Sequence, residues 1–268
     1  MDYSGDLASV QRDLARSHDM DRRRSHVLAA LAPVPGDRVI EVGCGGGLLL
    51  RELGRATAPD GVALGVDISR DQVDAAARTC ADVPHVRVEV ASATALSADD
   101  GSFDASVSTQ VLEYVVDVDV AVRELARVTR HGGRLVNVAT NWSSLMISGG
   151  DARLNDVFVA AWDHHAPHPD LPVALPGLLR DAGFTAIGQT PLPLVNRTFT
   201  PTTWAYGIAR LMADFGAAHL DLDDDVAARW LAGLADAASR DELFVSAMPM
   251  ITTATRCASP PPARRPAR

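Results

Sequence analysis

The chain has 268 residues and a net charge of −9, which argues against a surface that binds nucleic acid or an anionic membrane. All 25 basic residues are arginines, so neither Schiff-base chemistry on a lysine nor a Walker A phosphate loop is available. No run approaches the roughly 18 apolar residues of a membrane span, and the acidic start predicts no signal peptide.

The N-terminal segment carries helical spacing that ends at a proline-rich stretch. Val27, Leu28 and Leu31 recur at the intervals of one helix face, and residues 33–36 contain two prolines and a glycine. A helix is therefore expected within residues 6–32, before the first strand.

A short apolar strand at 39–42 leads directly into alternating glycines and then a helix at 48–53. Gly43, Gly45 and Gly47 lack a Cβ, so the turn can adopt positive φ angles and approach a ligand closely. The start of the helix adds free N–H groups beside that contact. The pattern predicts a nucleotide-binding crevice.

Three residues bear on which nucleotide the crevice binds. The dinucleotide fingerprint G-x-G-x-x-G requires a small residue at the position that Leu48 occupies here. A second apolar strand ends at Asp67, whose carboxylate suits the ribose hydroxyls of any adenosine cofactor. Glu41 suits a ligand that carries cationic groups. Together they favour S-adenosylmethionine and leave a nicotinamide cofactor as the alternative.

Strands and helices alternate from residue 37 onward, which predicts a parallel sheet with helices on both faces. Ser69 and Gln72 form a predicted capping box for one helix, and Asp117 is the predicted N-cap of another. Glycines 132 and 133 are expected to end that second helix. Further strands are expected at 86–90, 103–108 and 134–139.

The second half of the chain has a less regular pattern. Helices are expected at about 155–165 and 175–181, from Thr200-Pro201 to His219, and after the aspartates at 221–225. Strands are expected at 184–194 and 244–255. The proline-rich end, residues 258–268, is predicted to be a disordered tail.

Five segments of the first half follow one another in a specific order and spacing. They are 41–47 (EVGCGGG), 65–69 (GVDIS), 101–104 (GSFD), 110–114 (QVLEY) and 127–135 (RVTRHGGRL). In these segments the chain resembles the class I S-adenosylmethionine-dependent methyltransferases, in the small-molecule branch that includes the ubiquinone and menaquinone enzymes. The second half matches that family only loosely.

The resemblance implies an α/β, Rossmann-like, doubly wound fold with a seven-stranded sheet, an antiparallel last strand, helices on both faces and a helical cap. The implied units are a helical cap at 1–35, a cofactor-binding core at 36–140 and a substrate-side half at 141–257 with a helical insertion at about 200–240. The implied cofactor is S-adenosylmethionine, its product S-adenosylhomocysteine, and the partner a small-molecule substrate.

The resemblance also implies a set of cofactor-binding residues. Those expected around the donor and its ribose are Glu41, Gly43, Gly45 and Asp67. Ile68 is expected to pack on the adenine, and Gln110 to lie at the methionine end, where the fourth strand stops.

Two positions depart from the pattern of the family. Ser92 stands where an aspartate usually accepts a hydrogen bond from the adenine amino group. The Ser92 hydroxyl or the backbone at Ala93 is therefore expected to take that role. His131 replaces the usual proline and is interpreted as a tolerated change in a turn.

Candidates for the reaction itself come from two segments. Glu113 and Tyr114 begin the turn after the fourth strand and are expected to face the substrate, with ordinary packing or solvent exposure at a helix start as the alternative. Residues 162–170 contain three histidines and two aspartates, but their spacing fits no tetrahedral site, so no metal is expected. His165 is the predicted general base. Helical spacing alone does not distinguish it from His164, and a structural histidine stays an alternative.

The predicted function is methyl transfer to O, N or C of a small, apolar or aromatic metabolite. Aromatic and apolar residues at 200–240 are expected to form either a lid over that acceptor or ordinary core. The composition and three cysteines without metal spacing predict a cytoplasmic bacterial protein of unknown oligomeric state. The alternatives are a non-methylating member of the fold that uses the bound cofactor in a cyclisation or rearrangement, and an NAD-dependent dehydrogenase.

Overall fold

The computed structural model describes residues 5–220 and 225–258, with side chains from residue 10 onward. The helices in these ranges are α1 (Gly5–Leu14), α2 (His18–Leu31), α3 (Leu48–Thr57), α4 (Arg70–Thr79), α5 (Val118–Val128), α6 (Ala152–Trp162), α7 (Leu171–Asp181), α8 (Trp204–His219) and α9 (Val226–Ser239). The strands are β1 (Arg38–Val42), β2 (Val62–Asp67), β3 (Val86–Val90), β4 (Phe103–Thr109), β5 (Thr129–Ser148), β6 (Phe184–Pro191), β7 (Leu194–Asn196) and β8 (Phe244–Arg256).

The strands form one sheet in the order β3-β2-β1-β4-β5-β8-β6, with β7 paired to β8. Strands β1 to β5 are parallel, and β8 runs antiparallel between β5 and β6. The predicted doubly wound α/β fold with an antiparallel last strand is confirmed. Its strand order reverses between β1 and β4, and ligands bind at such a reversal in open α/β sheets.

Alternation along β1 builds a core on each face of the sheet. Ile40 and Val42 pack in the cluster that contains α5 and α7, whereas Val39 packs in the cluster that contains α2 and α3. Successive side chains of a strand point to opposite faces, so an uninterrupted apolar strand is buried on both sides. Helices therefore cover both faces, as the sequence predicts.

The sheet has eight strands, one more than predicted, because the strand expected at 184–194 divides. Strand β6 ends at Pro191, and β7 begins at Leu194 against a different part of β8. Strand β5 is also 20 residues long, far beyond the predicted 134–139. It begins directly after α5 ends at Val128, so the glycine pair lies within the strand and does not end the helix.

The helices at the N-terminus and after Thr200 begin at positions other than the predicted ones, whereas α9 begins at the predicted aspartates. The N-terminal segment forms two helices, because Ser17 caps α2 and accepts a hydrogen bond from Met20 N. Helix α8 begins at Trp204 and not at Pro201, since Thr203 hydrogen-bonds back to Thr200 and closes a separate turn. Asp225 caps α9, while residues 221–224 and the predicted tail at 259–268 lie outside the described residues.

The second half of β5 and the start of β8 extend beyond the parallel strands and support a second core. This core packs α6, α8 and α9 together, and the rings of Phe158 and Trp230 stack with centroids 4.1 Å apart. Among the apolar residues at 200–240, Trp230 and Met212 are core, whereas Trp204 and Leu211 also line the cavity described below. No helix in the described ranges has the length and apolar character needed to cross a bilayer.

Gly54 allows α3 to approach the sheet closely, so we expect its substitution to change the stability of the fold. A Cβ at Gly54 would lie 2.3 Å from Val86 Cγ2, whereas one at Gly177 in α7 would meet nothing closer than 4.0 Å. Gly54→Ala is expected to destabilise the fold by about 1–3 kcal/mol through overpacking. Gly177→Ala is expected to stabilise it by about 0.5–1 kcal/mol through helix propensity. Urea unfolding of both variants measures this, and a stabilised Gly54→Ala protein would contradict the described packing.

Candidate active site

A cavity of about 870 Å³ lies at the carboxyl ends of β1, β2 and β4, beneath α1, α2 and α8. Nine of the eleven residues predicted for the site lie on its wall, and they are Glu41, Gly43, Gly45, Asp67, Ile68, Ser92, Ala93, Gln110 and Tyr114. Of the other two, His165 lies behind Tyr114 and Glu113 is buried away from the cavity. The cavity thus lies where the parallel strands meet helices α1, α2 and α8.

The glycine turn follows β1 and requires glycine at its first position. Gly43 has a φ of +76°, and a Cβ there would lie 2.1 Å from Val111 Cγ2. Gly45 has a φ of +50°, and a Cβ there would meet no protein atom within 4 Å. The first glycine is needed for packing between β1 and the end of β4, and the second keeps the cavity side of the turn open.

Asp67 connects the glycine turn to the end of β2. Its Oδ2 accepts a hydrogen bond from Gly45 N at 2.9 Å, and its Oδ1 accepts one from Ser69 N at 3.0 Å. Burial raises the pKa of this carboxyl, although the backbone donors oppose that shift. Both oxygens keep a lone pair, so the group can still accept hydrogen bonds from hydroxyls of a ligand.

Glu41 is buried in β1 and has one oxygen, Oε2, without a partner in the described structure. Burial raises the pKa of this carboxyl well above its ordinary value, and the neighbouring charge of Asp67 adds to the shift. A cationic group in the cavity would favour its ionised form, and the unpartnered oxygen fits such a ligand.

Next to Asp67 the cavity wall becomes apolar. Ile68 is 68% exposed, although it is a large aliphatic side chain, and it lies on the cavity wall. The Ser92 hydroxyl contacts Thr94 Oγ1 at 2.8 Å and accepts from Thr94 N at 3.2 Å, which holds the loop after β3. An exposed aliphatic surface beside a small polar loop is suited to a flat heterocycle.

Gln110 directly follows β4 and has an unusual backbone conformation. Its φ is +57°, which is rare for a residue with a side chain. Gln110 N donates to Val138 O at 2.7 Å, and Thr140 Oγ1 donates to Gln110 Oε1 at 3.0 Å, so both neighbours in β5 hold this conformation. Such strained residues concentrate at functional sites.

Tyr114 and His165 form a pair at the side of the cavity. His165 Nδ1 hydrogen-bonds the Trp162 carbonyl, which can only accept, so this nitrogen carries the proton. His165 Nε2 is then the acceptor of the Tyr114 hydroxyl, at a long distance of 3.4 Å. Burial lowers the pKa of His165 to about 4, so the ring is neutral at pH 7.

An aromatic cage surrounds this histidine. The Trp162 ring stacks on His165 with centroids 3.9 Å apart, and the Trp142 ring meets its edge at 4.8 Å. His164 is exposed, so burial distinguishes the two histidines that helical spacing left equivalent. Helix α6 ends at Trp162, and it is the following turn that brings His165 inward.

Glu113 does not face the cavity, which corrects the expectation from the sequence. Its side chain is fully buried beside Thr140, whose N–H lies 3.5 Å from Oε1, and its Oε2 has no partner in the described structure. Burial raises the pKa of this carboxyl to about 7. The turn of Leu112–Tyr114 directs Tyr114 to the cavity and Glu113 into the protein.

Several cavity residues have no counterpart in the sequence prediction. The indoles of Trp142 and Trp162 line the apolar end beside Trp204, which belongs to the segment expected to form a lid or core. Arg12 and Arg23 line the wall formed by α1 and α2. One signal was available for Arg23, because it precedes Val27 and Leu31 at i, i+4 and i+8 on the buried helix face. The indoles come together only through tertiary packing.

Comparison with known proteins places the core of the chain in a family. Residues 40–137 match the family model described as a methyltransferase domain. A protein of transposon Tn4556 from Streptomyces fradiae is 32% identical over 78% of this chain and 59% of its own length. A ubiquinone biosynthesis O-methyltransferase from Ralstonia nicotianae is 29% identical over 71% of this chain and 79% of its own length. The first of these relatives is thus matched over less than two thirds of its length.

Two solved structures share the fold over most of the chain. Geranyl diphosphate methyltransferase, solved with S-adenosylmethionine, has a TM-score of 0.56 and 20% identity over 96% of this chain and 92% of its own. The [4+2]-cyclase SpnF has a TM-score of 0.56 and 22% identity over 90% of this chain and 82% of its own. Identities this low show a common fold and nothing finer.

The domain match, the ordered motifs and the cofactor-sized pocket at the strand ends agree. The strand order and the glycine turn agree with them. Residues 40–137 thus form a methyltransferase domain, and the chain is similar to the class I S-adenosylmethionine-dependent methyltransferases of small-molecule type.

Proposed function

We propose that the protein transfers the methyl group of S-adenosylmethionine to an apolar or aromatic small molecule held in the same cavity. The proposal rests mainly on one observation: a single cavity of about 870 Å³ is lined by two chemically different groups of residues. One end has the strand-end carboxylates and the glycine turn, and the other has three indoles. A volume near the upper part of the usual range of about 300–1,000 Å³ for ligand pockets suits two ligands side by side.

The polar end fits the cofactor group by group. Asp67 would accept hydrogen bonds from the ribose hydroxyls, and Glu41 would offset the charge of the ammonium group. Ile68 and the loop at Ser92 and Ala93 would contact the adenine. When bound, the cofactor supplies an electrophilic methyl group on a sulfonium.

The apolar end fits the acceptor. Trp142, Trp162 and Trp204 offer wide aromatic surface with little flexibility, and Ile208 and Leu211 from α8 complete that wall. These side chains exclude water and restrict the acceptor's orientation, and good orientation can lower a barrier by about 7–11 kcal/mol. The acceptor atom, whether O, N or C, stays open in this proposal, and so does the cytoplasmic setting predicted from composition.

Tyr114 and His165 would remove the acceptor's proton together. The Tyr114 hydroxyl donates to His165 Nε2, so its oxygen offers lone pairs to the cavity. As the acceptor proton moves to Tyr114, the Tyr114 proton moves to His165, and the charge arises within the aromatic cage. Burial disfavours that imidazolium, and the stacked Trp162 face would offset part of this cost. The long distance is compatible with a relay, because catalytic hydrogen bonds often shorten only in the loaded enzyme.

The cofactor part of the proposal predicts a selective loss of binding. Asp67→Ala is expected to weaken S-adenosylhomocysteine by about 1–3 kcal/mol, the cost of hydrogen bonds to a charged group. Asp74→Ala, an exposed position on α4, is the matched control and is expected to bind normally. Calorimetric titration measures both, with NADH as the competing ligand. Binding of NADH and of no S-adenosyl compound would refute the proposal in favour of a dehydrogenase.

The relay predicts a loss of turnover without a loss of cofactor affinity. Tyr114→Phe and His165→Ala are expected to lower kcat roughly a hundredfold or more, the usual contribution of general base catalysis. His164→Ala is the control, since that side chain is exposed. The readout is S-adenosylhomocysteine formed with an acceptor from a metabolite panel. Unchanged kcat in both variants would exclude the relay, and bound cofactor that is never consumed would favour a non-methylating enzyme.

A further inference from the structure

Two residues of the cavity wall, Gln110 and Tyr114, come from one short stretch that follows β4. Gln110 opens this stretch with a φ of +57°, a conformation that a residue with a side chain disfavours. Such a conformation persists only where the surrounding structure holds it. Gln110 N donates to Val138 O at 2.7 Å, which fixes the backbone at the start of the stretch. The Gln110 side chain and the rest of the stretch need other partners.

Thr140 holds the side chain of Gln110. It is buried in β5 behind the cavity wall, and its Oγ1 donates to Gln110 Oε1 at 3.0 Å. The other end of the Gln110 amide, Nε2, forms no hydrogen bond with any residue in the described part of the chain. Because Oε1 is held from behind, Nε2 is the end left for a ligand. Its two N–H donors match the lone pairs of an oxygen.

Glu113 holds the backbone of the same stretch. Its side chain is fully buried, and Thr140 N lies 3.5 Å from Oε1. Burial raises the pKa of this carboxyl to about 7, while the backbone N–H groups of Glu113, Thr140 and Val111 and the charge of Arg23 oppose the shift. The carboxyl therefore lies close to the backbone of its own turn and to that of β5. Thr140 is the point where the contacts meet, with its hydroxyl on Gln110 and its N–H toward Glu113.

Packing alone does not account for a carboxyl at this position. Oε2 of Glu113 has no partner in the described structure, and burial of such an oxygen costs folding free energy. A methionine has a similar length and would fill the space without that cost. Polar groups that oppose stability are retained mainly where a site requires them. The site residues beside Glu113 in the sequence are Gln110 and Tyr114.

We propose that Glu113 and Thr140 are positioning residues, which hold the stretch of 110–114 from behind so that Gln110 presents its Nε2, and Tyr114 its hydroxyl, to a ligand. Neither of the two contacts the ligand itself. The reaction that they serve is the one in the proposed function, on which this inference rests. Loss of either is expected to release Gln110 from its positive φ and to withdraw its amide. The donor pocket at Asp67 is held by the glycine turn and is expected to stay intact.

The first test compares variants that remove each polar group with variants that keep it. Thr140→Val and Glu113→Met conserve the size of the side chain, whereas Thr140→Ser keeps the hydroxyl and Glu113→Gln keeps an accepting oxygen. The first pair is expected to lower kcat roughly tenfold to a hundredfold, because misplaced reacting groups lose orientation. Affinity for S-adenosylhomocysteine is expected to stay unchanged. The second pair is expected to recover most of the turnover.

Thr129→Val is the matched control. Thr129 is a buried threonine of the same strand, and its Oγ1 donates to Leu125 O at 2.6 Å and contacts Ser106 Oγ at 2.8 Å. This variant is expected to lose stability and to keep its kcat, and thermal unfolding checks that every variant is folded. An equal fall of kcat in Thr129→Val, or an unchanged kcat in Thr140→Val and Glu113→Met, would show that the pair has no positioning role.

The second test observes the Gln110 amide itself and needs no acceptor. The chain has four glutamines, so a protein labelled only at glutamine gives few side-chain amide signals in the nuclear magnetic resonance spectrum. The signal of Gln110 is the one lost in Gln110→Met. It is expected to shift in Thr140→Val and Glu113→Met and to return in Thr140→Ser and Glu113→Gln. A Gln110 signal that stays in place in the first two variants would overturn the inference.

These outcomes are distinct from failure of the proposed function. If wild type transfers no methyl group to any acceptor in the metabolite panel, the proposed function fails. The Gln110 signal, recorded on the protein alone, then still decides whether Glu113 and Thr140 hold the amide in place.

Discussion

The hydrogen bond from Gly45 N to Asp67 Oδ2, 2.9 Å long, is the contact on which the site depends most. It joins the turn after β1 to the end of β2. Gly43 N and Cys44 N both donate to Val66 O, one residue earlier, and so reinforce the same connection. The open turn and the Asp67 carboxylate therefore keep one relative position. Without this connection the strand ends would form a crevice but no defined pocket.

The same turn determines how closely the neighbouring strand end can approach. Val111 packs against Gly43 so tightly that no side chain fits there. This contact places Gln110 and Tyr114 at the cavity, while Glu113 turns inward. A short stretch after β4 thus supplies a strained residue, a phenol on the wall and a buried carboxyl beneath it.

Helices α6, α8 and α9 add the surface that the parallel sheet lacks. Their core depends on the extension of β5 and β8, which carries Trp142 and brings α6 and α8 together. Indoles from three separate elements then face the strand-end pocket. Under the proposed function, acceptor choice would reside in these helices and donor binding in the strand ends, so the two could vary independently.

Local chemistry explains which parts could be predicted from the sequence. The glycine turn, Asp67 and the alternating strands follow from short-range patterns, and the structure places all the residues predicted to bind cofactor on one cavity wall. His165 was predicted to face inward on the assumption that its helix extends to residue 165. Helix α6 ends at Trp162, and it is the following turn that buries the side chain. The length of β5 depends on its partner β8, and the burial of Glu113 depends on its contact with Thr140 in β5. Neither is encoded in a local pattern.

A crystal structure of the protein with S-adenosylhomocysteine tests the central claim most directly, namely that one cavity joins donor and acceptor. We expect the ribose at Asp67, the amino-acid end near Glu41, and the sulfur facing Tyr114 and the indoles. The account would be contradicted by a ligand bound outside this cavity, or by a sulfur that faces away from Tyr114 with the aromatic end closed to it.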